Sequence, residues 1–329
     1  MANYGTKPFL LGQFGAEATA GTPVTPTQIW RGTFPAWSDD RTREVVEEDI
    51  GLLAPMGRMY DSMLKGKLEM SATPMTFEQL PYLFEAGVNA VSPVGTGTYT
   101  RTYSLPTSTT LNAPKPRTWV LGNRQVTSDV VQIPYSFPSE ITLEGKQGEA
   151  WMMSASWFGQ RIQAGTFAAL SPSSTIEDAA FSNTKLYIDA TGGTIGSTQK
   201  TGVLLAAQIR IEPGIVPVPI GDGTLYYAAH KFKRPVVNFS LTLEVESTSV
   251  VAAERAIYDA RTMRLFRLEV AGSGSKKATF DFAGKYLSAG PYSDEDDEDQ
   301  SVTFEGQAFY SSADSLWFTT EIINTIATL

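Results

Sequence analysis

The chain of 329 residues contains no cysteine and a single histidine, His230. Without cysteine it has neither a disulfide framework nor a thiolate that could act as nucleophile or metal ligand, which fits a reducing compartment. One histidine cannot form a two-histidine metal site, and no G-x-S-x-G motif supplies the nucleophile of a Ser-His-Asp triad. We therefore expect a structural role for His230, no cofactor and no enzymatic activity.

Long apolar runs and an excess of basic residues are also missing. Nothing approaches about 18 uninterrupted apolar residues, and residues 1–30 lack a basic start followed by an apolar run. We expect neither a membrane span nor an export signal. The formal net charge is −9. Because an acidic chain does not bind phosphates by counterion release, this balance argues against a nucleic-acid binder of the usual basic kind.

Most of the net excess of negative charge comes from one run, 294–299, which consists entirely of Asp and Glu. Clustered oxygens could hold a divalent cation, but the run lacks the spacing and the glycine of an EF-hand loop. We expect a solvated loop. Six tryptophans could stack on sugars, yet they lie mostly beside strand patterns with apolar neighbours, so we expect core or interface packing for Trp30, Trp37, Trp119, Trp151, Trp157 and Trp317.

Frequent Thr, Ser, Gly and Pro, with few helix-period segments, predict a mainly β protein long enough for two cores. Segments 64–72 and 237–245 both alternate between apolar and polar residues, which is typical of a strand with one buried and one solvated face. Each is followed by an amphipathic helix pattern, with Thr76 and Ser249 as N-caps. This recurrence, 173 positions apart, indicates a duplicated β module.

The remaining organisation follows from composition and turn residues. Residues 1–30 are expected to form an extended arm, 31–172 a first module and 173–329 a second module, with a boundary in the small polar stretch 164–182. Residues 39–58 are charged and irregular, and we expect a long loop there. Further strands are predicted at 99–105, 117–121, 125–133, 140–145, 150–158, 184–190, 203–212, 264–270, 278–283 and 302–310.

The stretch 15–26, Gly-Ala-Glu-Ala-Thr-Ala-Gly-Thr-Pro-Val-Thr-Pro, resembles the opening of many tail tube proteins of long, flexible-tailed bacteriophages. Those proteins often begin with a Glu, then Gly-Thr-Pro, then a second Pro before the first strand. Segment 66–87 is similar to them as well: a short β run, a Pro-containing turn and a helix that ends at Gly87. The motifs are short, but the likeness in architecture covers most of the chain.

The resemblance implies β-sandwich or barrel modules with a flanking helix, whose inner strands join those of neighbours into a ring-shaped β-barrel around a channel for DNA. The chain departs from single-module members, so three chains are expected to supply six modules per ring, with a ring of six chains as the alternative. Rings would stack into a tube in the virion, made in the host cytoplasm. Expected partners are other copies, other tail proteins at the tube ends, and DNA that passes without specific binding; no membrane is expected.

Two sets of residues are predicted to serve this assembly. The polar rows of the two alternating segments are expected to face the lumen: Lys65, Lys67, Glu69, Ser71, Asn238, Ser240, Thr242 and Glu244. Contacts between subunits or rings are expected at the arm, at loop 39–58 and at a C-terminal strand over 316–323, namely at Glu17, Thr22, Pro23, Pro26, Glu47, Glu48, Asp49, Trp317 and Phe318.

Other classes remain open on sequence grounds. A tail terminator or a capsid decoration protein would form a single closed ring and no filament. A β-sandwich carbohydrate-binding protein would cluster aromatic side chains on an exposed face. An enzyme has the least support, because no catalytic constellation is present in the sequence.

Overall fold

The computed structural model describes residues 9–54, 56–173, 175–221, 223–245, 250–293 and 300–329. Within these ranges the protein is mainly β, as predicted, and its sheets are antiparallel. The first half contains β1 (Leu10–Ala16), β2 (Gln28–Ile29), β3 (Ala36–Asp39), β4 (Thr42–Val45), β5 (Met59–Met63), β6 (Gly66–Pro74), α1 (Leu80–Gly87), β7 (Tyr99–Ser104), β8 (Arg117–Asn123), β9 (Val131–Lys146), β10 (Met152–Gly159) and β11 (Gln163–Ala164).

The second half has a matching set. It contains β12 (Thr184–Ala190), β13 (Gln199–Lys200), β14 (Leu204–Glu212), β15 (Ile215–Val218), β16 (Ala229–Phe232), β17 (Val236–Glu244), α2 (Val250–Ala260), β18 (Arg264–Ala271), β19 (Lys277–Ala289), β20 (Ser301–Ala308) and β21 (Phe318–Asn324). Two short 3₁₀ turns cover Thr127–Asp129 and Phe181–Asn183.

The two halves pair their strands in the same order, so the predicted duplication extends to topology. In the first module the ladders connect β2–β1–β8–β9–β10–β6–β3, and in the second they connect β13–β12–β18–β19–β20–β17–β14. Each module thus has an outer sheet and an inner sheet, and one long strand, β9 or β19, belongs to both. The predicted β-sandwich with a flanking helix is confirmed for each half.

The long strand β9 corrects a sequence prediction of two separate strands at 125–133 and 140–145. It runs for 16 residues through Pro134 and Pro138. Its first part pairs with β8 and its second part with β10, and both ladders shift register where the partner changes. Tyr135 takes a positive φ of 54° at this bend. Proline is tolerated there because the strand changes partners and ladder bonds are interrupted.

The two alternating segments form β6 and β17 with the predicted faces. In β17, Phe239 and Leu241 are buried while Ser240 and Thr242 are half-exposed. In β6 the alternation fails only at its end, where Ala72 is exposed and Thr73 is buried. A register shift in the β10–β6 ladder causes this change, because a bulge moves the following residues to the opposite face.

Each helix is tied to its outer sheet by a buried ion pair. Glu85 of α1 pairs with Arg117 at the start of β8, and Glu254 of α2 pairs with Arg264 at the start of β18 over 3.2 Å. These counterparts support the duplication independently of the ladders.

The helix termini differ slightly from prediction. Thr76 accepts a hydrogen bond from the backbone of Gln79 at 3.1 Å, but it caps a preceding turn, and Pro81 lies in the first turn of a helix that begins at Leu80. Gly87 is the last helical residue and Val88 is the C-cap. A Cβ at Gly87 would lie 2.9 Å from Ile141, so glycine is needed there for close packing. Ser249 lies outside the described residues.

The tryptophans pack inside the protein, as expected. Trp119 of β8 lies edge-on to Trp157 of β10 at 5.5 Å between ring centres, which joins the outer and inner sheets of the first module. Trp30 and Trp151 are also buried, while Trp37 and Trp317 pack against the core from its margin. Nothing in this arrangement presents the tryptophans as a sugar-stacking platform.

The N-terminal region is not the extended arm predicted for residues 1–30. Residues 10–16 form β1, which pairs along its whole length with β8, and β2 pairs with β1. Residues 1–8 lie outside the described part of the chain. Four consecutive residues of β1, Gly12 to Gly15, are buried, so both faces of the strand are covered and its sequence shows no alternation.

The C-terminal strand also belongs to the fold. β21 pairs with β19 on one side and with β7 on the other, and β7 comes from the first half of the chain. Arg101 of β7 is buried and donates to Asn324 at 3.1 Å and to the carbonyl of Ile326 at 2.7 Å. Both edges of β21 are therefore occupied within its own chain, and Trp317, just before the strand, is the partly exposed one of its two predicted contact residues.

Candidate assembly site

The inner sheets of the two modules form one continuous sheet. Strand β14 of the second module pairs with β17 on one side and with the second part of β9 on the other. The sheet therefore runs β3–β6–β10–β9–β14–β17–β20–β19, eight strands across both modules. The segment 165–180 that links the modules in sequence contains no helix or named strand in its described residues. The modules join through this sheet and also through the pairing of β21 with β7.

One face of the eight-stranded sheet is polar along its whole width, and we call it the polar face. Cross-strand partners set this arrangement: Glu69 is opposite Ser156, Glu144 is opposite Gln208, and Ser240 is opposite Glu305. Both predicted lumen-facing rows lie on it, Lys67, Glu69 and Ser71 from β6, and Asn238, Ser240, Thr242 and Glu244 from β17. The sheet places these two rows on the same side. The sequence alone does not predict this, because it does not show which strands pair.

Acidic side chains outnumber basic ones on the polar face. The acids are Glu69, Glu140, Glu144, Glu212, Glu244 and Glu305, and the bases are Lys67, Lys146, Arg210 and Lys285. Arg210 pairs with Glu140 at 2.7 Å and with Glu212 at 3.3 Å. The positive charge of Arg210 is thus held between two carboxylates.

The two lysines of the first row are neutralised in the same way. Lys67 Nζ lies 2.8 Å from a Glu69 oxygen, and this hydrogen bond raises the lysine pKa. Lys65, which precedes β6, lies 3.2 Å from Asp40. Each of these two lysines thus has a carboxylate partner, and the six acids of the polar face outnumber its four bases, a balance that disfavours binding of a polyanion.

The sheet ends in two strand edges without partners in the described chain. At one end β3 pairs only with β6, although its counterpart β14 pairs on both sides. At the other end residues 285–289 of β19 pair only with β20, although the corresponding part of β9 pairs on both sides. The two open edges are therefore the counterparts of the two strands that join the modules.

The backbone of β3 has hydrogen-bonding groups directed away from the molecule. Asp40 donates its N–H to Lys65 O at 2.8 Å, on the β6 side. Successive residues of a β-strand direct their N–H groups to opposite sides of the strand. Because the N–H of Asp40 points toward β6, the N–H of Asp39 points away from it. An open edge of this kind is a template for another strand.

The predicted contact residues of the N-terminal region fall into two groups. Glu17 is only 2% exposed, and its carboxylate accepts hydrogen bonds from the Tyr135 N–H at 2.7 Å and the Gly21 N–H at 2.8 Å. Burial raises its pKa despite these bonds. Glu17 therefore serves the fold of its own chain, and Pro26 is buried as well. Thr22 and Pro23 are exposed.

Of the other predicted contact residues, some lie at the surface and one is buried. Glu47, Glu48 and Asp49 lie in the turn of the β4–β5 hairpin, where Glu48 pairs with Arg58 at 3.1 Å. Phe318 is buried in the core, which corrects its prediction as a contact. Trp317 is half-buried, donates to Ala308 O at 3.2 Å and lines a surface groove at the end of the second module.

His230 lies between the modules. Its Nδ1 is 2.9 Å from the Tyr135 hydroxyl, and its ring packs on Phe137 at 4.8 Å between centres. Burial lowers its pKa. No group of three or more potential ligand side chains occurs among the described residues. The acidic run 294–299 lies outside them, so its predicted conformation stays a prediction.

Comparison with known proteins adds no relative. No protein-family model matches the sequence, and no curated protein matches it significantly. Neither α1 nor α2, the helices in the described ranges, has the length and apolar character to cross a membrane. The candidate site therefore rests on the sheet, its polar face and its two edges.

Proposed function

We propose that this protein is a structural subunit that closes into rings through its inner sheet, and that the rings stack as the tail tube of a long-tailed bacteriophage. One observation carries the proposal: two equivalent modules already join through β14 and β9, while the counterpart edges, β3 and residues 285–289, have no partner in the described chain. A second chain can repeat between molecules the junction that exists within one.

Repetition of this junction has a geometric consequence. A heterologous contact of this kind closes into a ring when the angle by which each module turns the sheet divides a full turn with no rise along the axis, and otherwise gives an open helix. Three chains would supply six modules and 24 inner strands, because each chain contributes eight. With the usual strand spacing and tilt, such a barrel measures roughly 45–50 Å between opposite backbones. After side chains are allowed for, that channel would admit a nucleic-acid duplex.

The polar face suits the inside of such a channel. Its opposite face is covered by the core and the outer sheets, so only the polar face can line the lumen. The excess of acidic side chains there, with Lys67 and Arg210 held in ion pairs, would let DNA pass without binding, since a net negative surface disfavours phosphate contacts by counterion release. Closure would also protect two edges that are otherwise open to aggregation.

Electron microscopy of the purified protein over a concentration and temperature series tests this proposal. We expect rings with a central channel and, at higher concentration, stacked tubes. Threefold symmetry is expected within each ring, with six similar modules around the axis. Closed rings that never form filaments would favour a tail terminator or decoration protein. A monomer at all conditions would contradict ring formation.

A further inference from the structure

The chain contains two hairpins at equivalent places with opposite surroundings. The first hairpin, β4–β5 with its turn, follows β3, and the second hairpin, β15–β16 with its turn, follows β14. The second hairpin packs against the first module. The first hairpin projects from the molecule: all four residues of β4 are exposed, as are most of the described residues of its turn. An isolated two-stranded hairpin is marginally stable in water, so the first hairpin lacks the cover that its counterpart has.

The contacts of the second hairpin define how such a hairpin docks. Leu225 O accepts from Leu64 N at 2.7 Å, just before β6. Tyr227 O accepts from Gln160 Nε2 at 2.9 Å, and the Arg161 guanidinium lies 4.1 Å from the Tyr226 ring centre, both just after β10. The junction therefore uses the residues before β6 and after β10.

The ring contacts of this hairpin add an apolar cluster to the junction. Tyr227 packs on Tyr135 at 4.9 Å and on Phe158 at 5.8 Å between ring centres. Ile215 and Phe232 complete the cluster. The second hairpin is therefore held by backbone hydrogen bonds, a cation–π contact and apolar packing together.

The second module presents the corresponding positions with nothing from the described chain docked on them. Residues at and just before the start of β17, Lys233 to Val236, and just after β20, Phe309 and Tyr310, line a groove of about 750 Å³. We call it the end groove. Leu105 and Trp317 contribute further apolar walls. Phe309 and Tyr310 are 37% and 47% exposed, whereas Gln160, at the position corresponding to Phe309, is 5% exposed under the second hairpin.

The first hairpin and the end groove are complementary in character. The hairpin exposes apolar side chains with no cover: Val45, Ile50, Leu52, Leu53, Met56 and Met59. Its first strand and turn also contain Glu44, Glu47 and Asp49, while Lys233 and Arg234 line the groove and Lys231 precedes them in β16. None of these six charged residues forms an ion pair within the described part of the chain. Both surfaces are thus apolar, and the unpaired charges of the hairpin are opposite in sign to those of the groove side.

We infer that the first hairpin of one chain docks in the end groove of a second copy of the same chain. This inference rests on the proposed ring, because it names a second contact of the same subunit junction. Within one chain the sheet junction and the hairpin contact occur together, and the same combination would hold one chain to the next. The partner is therefore another copy of this chain. It is held by pairing of β3 with residues 285–289 and by the first hairpin in the end groove.

Cross-linking tests the contact. Because the chain has no cysteine, only the introduced cysteines can react with the cross-linker. The variant carrying both Leu53→Cys and Tyr310→Cys is treated with a short bis-maleimide after assembly, and the products are separated under denaturing conditions. Leu53 is fully exposed at the hairpin turn and Tyr310 lies in the groove. We expect a covalent ladder that stops at three chains. The matched control pairs Leu53→Cys with Thr262→Cys, at an exposed position outside the groove, and should give no ladder.

Loss-of-contact variants provide a second readout. Leu52→Ser, Leu53→Ser and Met56→Ser together should raise the protein concentration needed for assembly roughly tenfold or more, since burial of each apolar side chain favours association. The residues are already exposed in the monomer, so its fold should be unchanged by circular dichroism. Val94→Ser removes an exposed apolar side chain outside the groove and should assemble normally.

The outcomes separate this inference from the proposed function. Rings by microscopy without the expected cross-link, or a ladder that continues without limit, would overturn hairpin docking within the ring and leave the ring itself in place. A ladder that stops at six would keep the docking and overturn the threefold ring. Absence of any assembly by the unmodified protein would overturn both.

Discussion

Gln208 of β14 lies directly opposite Glu144 of β9 and donates to its carboxylate at 3.3 Å, across the junction of the two modules. These side chains stand on the polar face, and the backbones beneath them make the two inner sheets one. The junction is built from strands that are far apart in sequence. We propose that the same junction is repeated between separate chains.

The outward N–H of Asp39 provides a test of sheet extension. Asp39→Pro removes this N–H and leaves the hydrogen bonds toward β6 in place, so we expect a folded chain that no longer forms rings. Asp39→Ala is the matched control, because it removes the carboxylate that binds Arg41 and keeps the N–H. Sedimentation of both variants measures assembly. Rings from the proline variant would exclude β3 from the interface.

The buried ion pairs of the helices should stabilise both modules similarly. Glu254 is fully buried and its partner is Arg264, so Glu254→Gln leaves a buried guanidinium without its countercharge. We expect a loss of about 3–5 kcal/mol in the free energy of unfolding. Glu85→Gln should cost a similar amount, since Glu85 holds the equivalent Arg117.

Denaturant unfolding of the two Gln variants measures this loss. Replacing both partners, with Glu254→Leu and Arg264→Met, should cost less than Glu254→Gln alone, because no charge is then left unpaired. A Glu254→Gln variant as stable as the parent chain would show that the pair has no structural role.

His230 should make stability depend on mildly acidic pH. Burial lowers its pKa from the ordinary value of 6.5, so the unfolded chain binds a proton at a higher pH than the folded chain does. As pH falls below about 6.5, stability is therefore lost until the lowered folded pKa is reached. His230→Gln should reduce this slope. Unfolding midpoints measured between pH 7.5 and 5 at roughly constant ionic strength would show it; equal slopes in both proteins would contradict the assignment.

The charge of the polar face should control whether the channel binds DNA. Glu144→Lys with Glu305→Lys places free cations on that face, and we expect assembled protein to retain DNA at low salt and release it as salt is raised. Fluorescence anisotropy of a labelled duplex measures retention.

Asp129→Lys with Asp259→Lys makes the same charge change at exposed positions away from the polar face. These changes should affect DNA retention much less. Equal retention by both double variants would show that the polar face does not line the channel.

The sequence predicted those parts of the fold that depend on short-range periodicity. The alternation around β6 and β17 gave the strands and their faces, because successive side chains of a strand point to opposite sides. The exception, Ala72, depends on a register shift against β10, which a single segment cannot reveal. Strand β1 was missed because both of its faces are covered, so Leu11 and Phe14 produce no alternation.

The assembly site could be predicted only in part. Its polar rows were visible in the sequence, but the pairing of β14 with β9 joins residues about sixty positions apart and depends on strand register. Glu17 and Phe318 were predicted as contact residues but are buried, and this too depends on contacts with distant parts of the chain. A polar residue, or one near a chain terminus, is expected to be exposed when only the sequence is considered. Its burial depends on which distant segments pack over it.

A cross-section of the assembled protein at a resolution that separates β-strands tests the account most directly, and cryo-electron microscopy of rings or tubes would provide it. We predict a closed barrel in which β3 of one chain lies beside residues 285–289 of the next, with Glu144 and Ser240 facing the lumen. Rings held together by the outer sheets, or a barrel with these side chains directed outward, would contradict it.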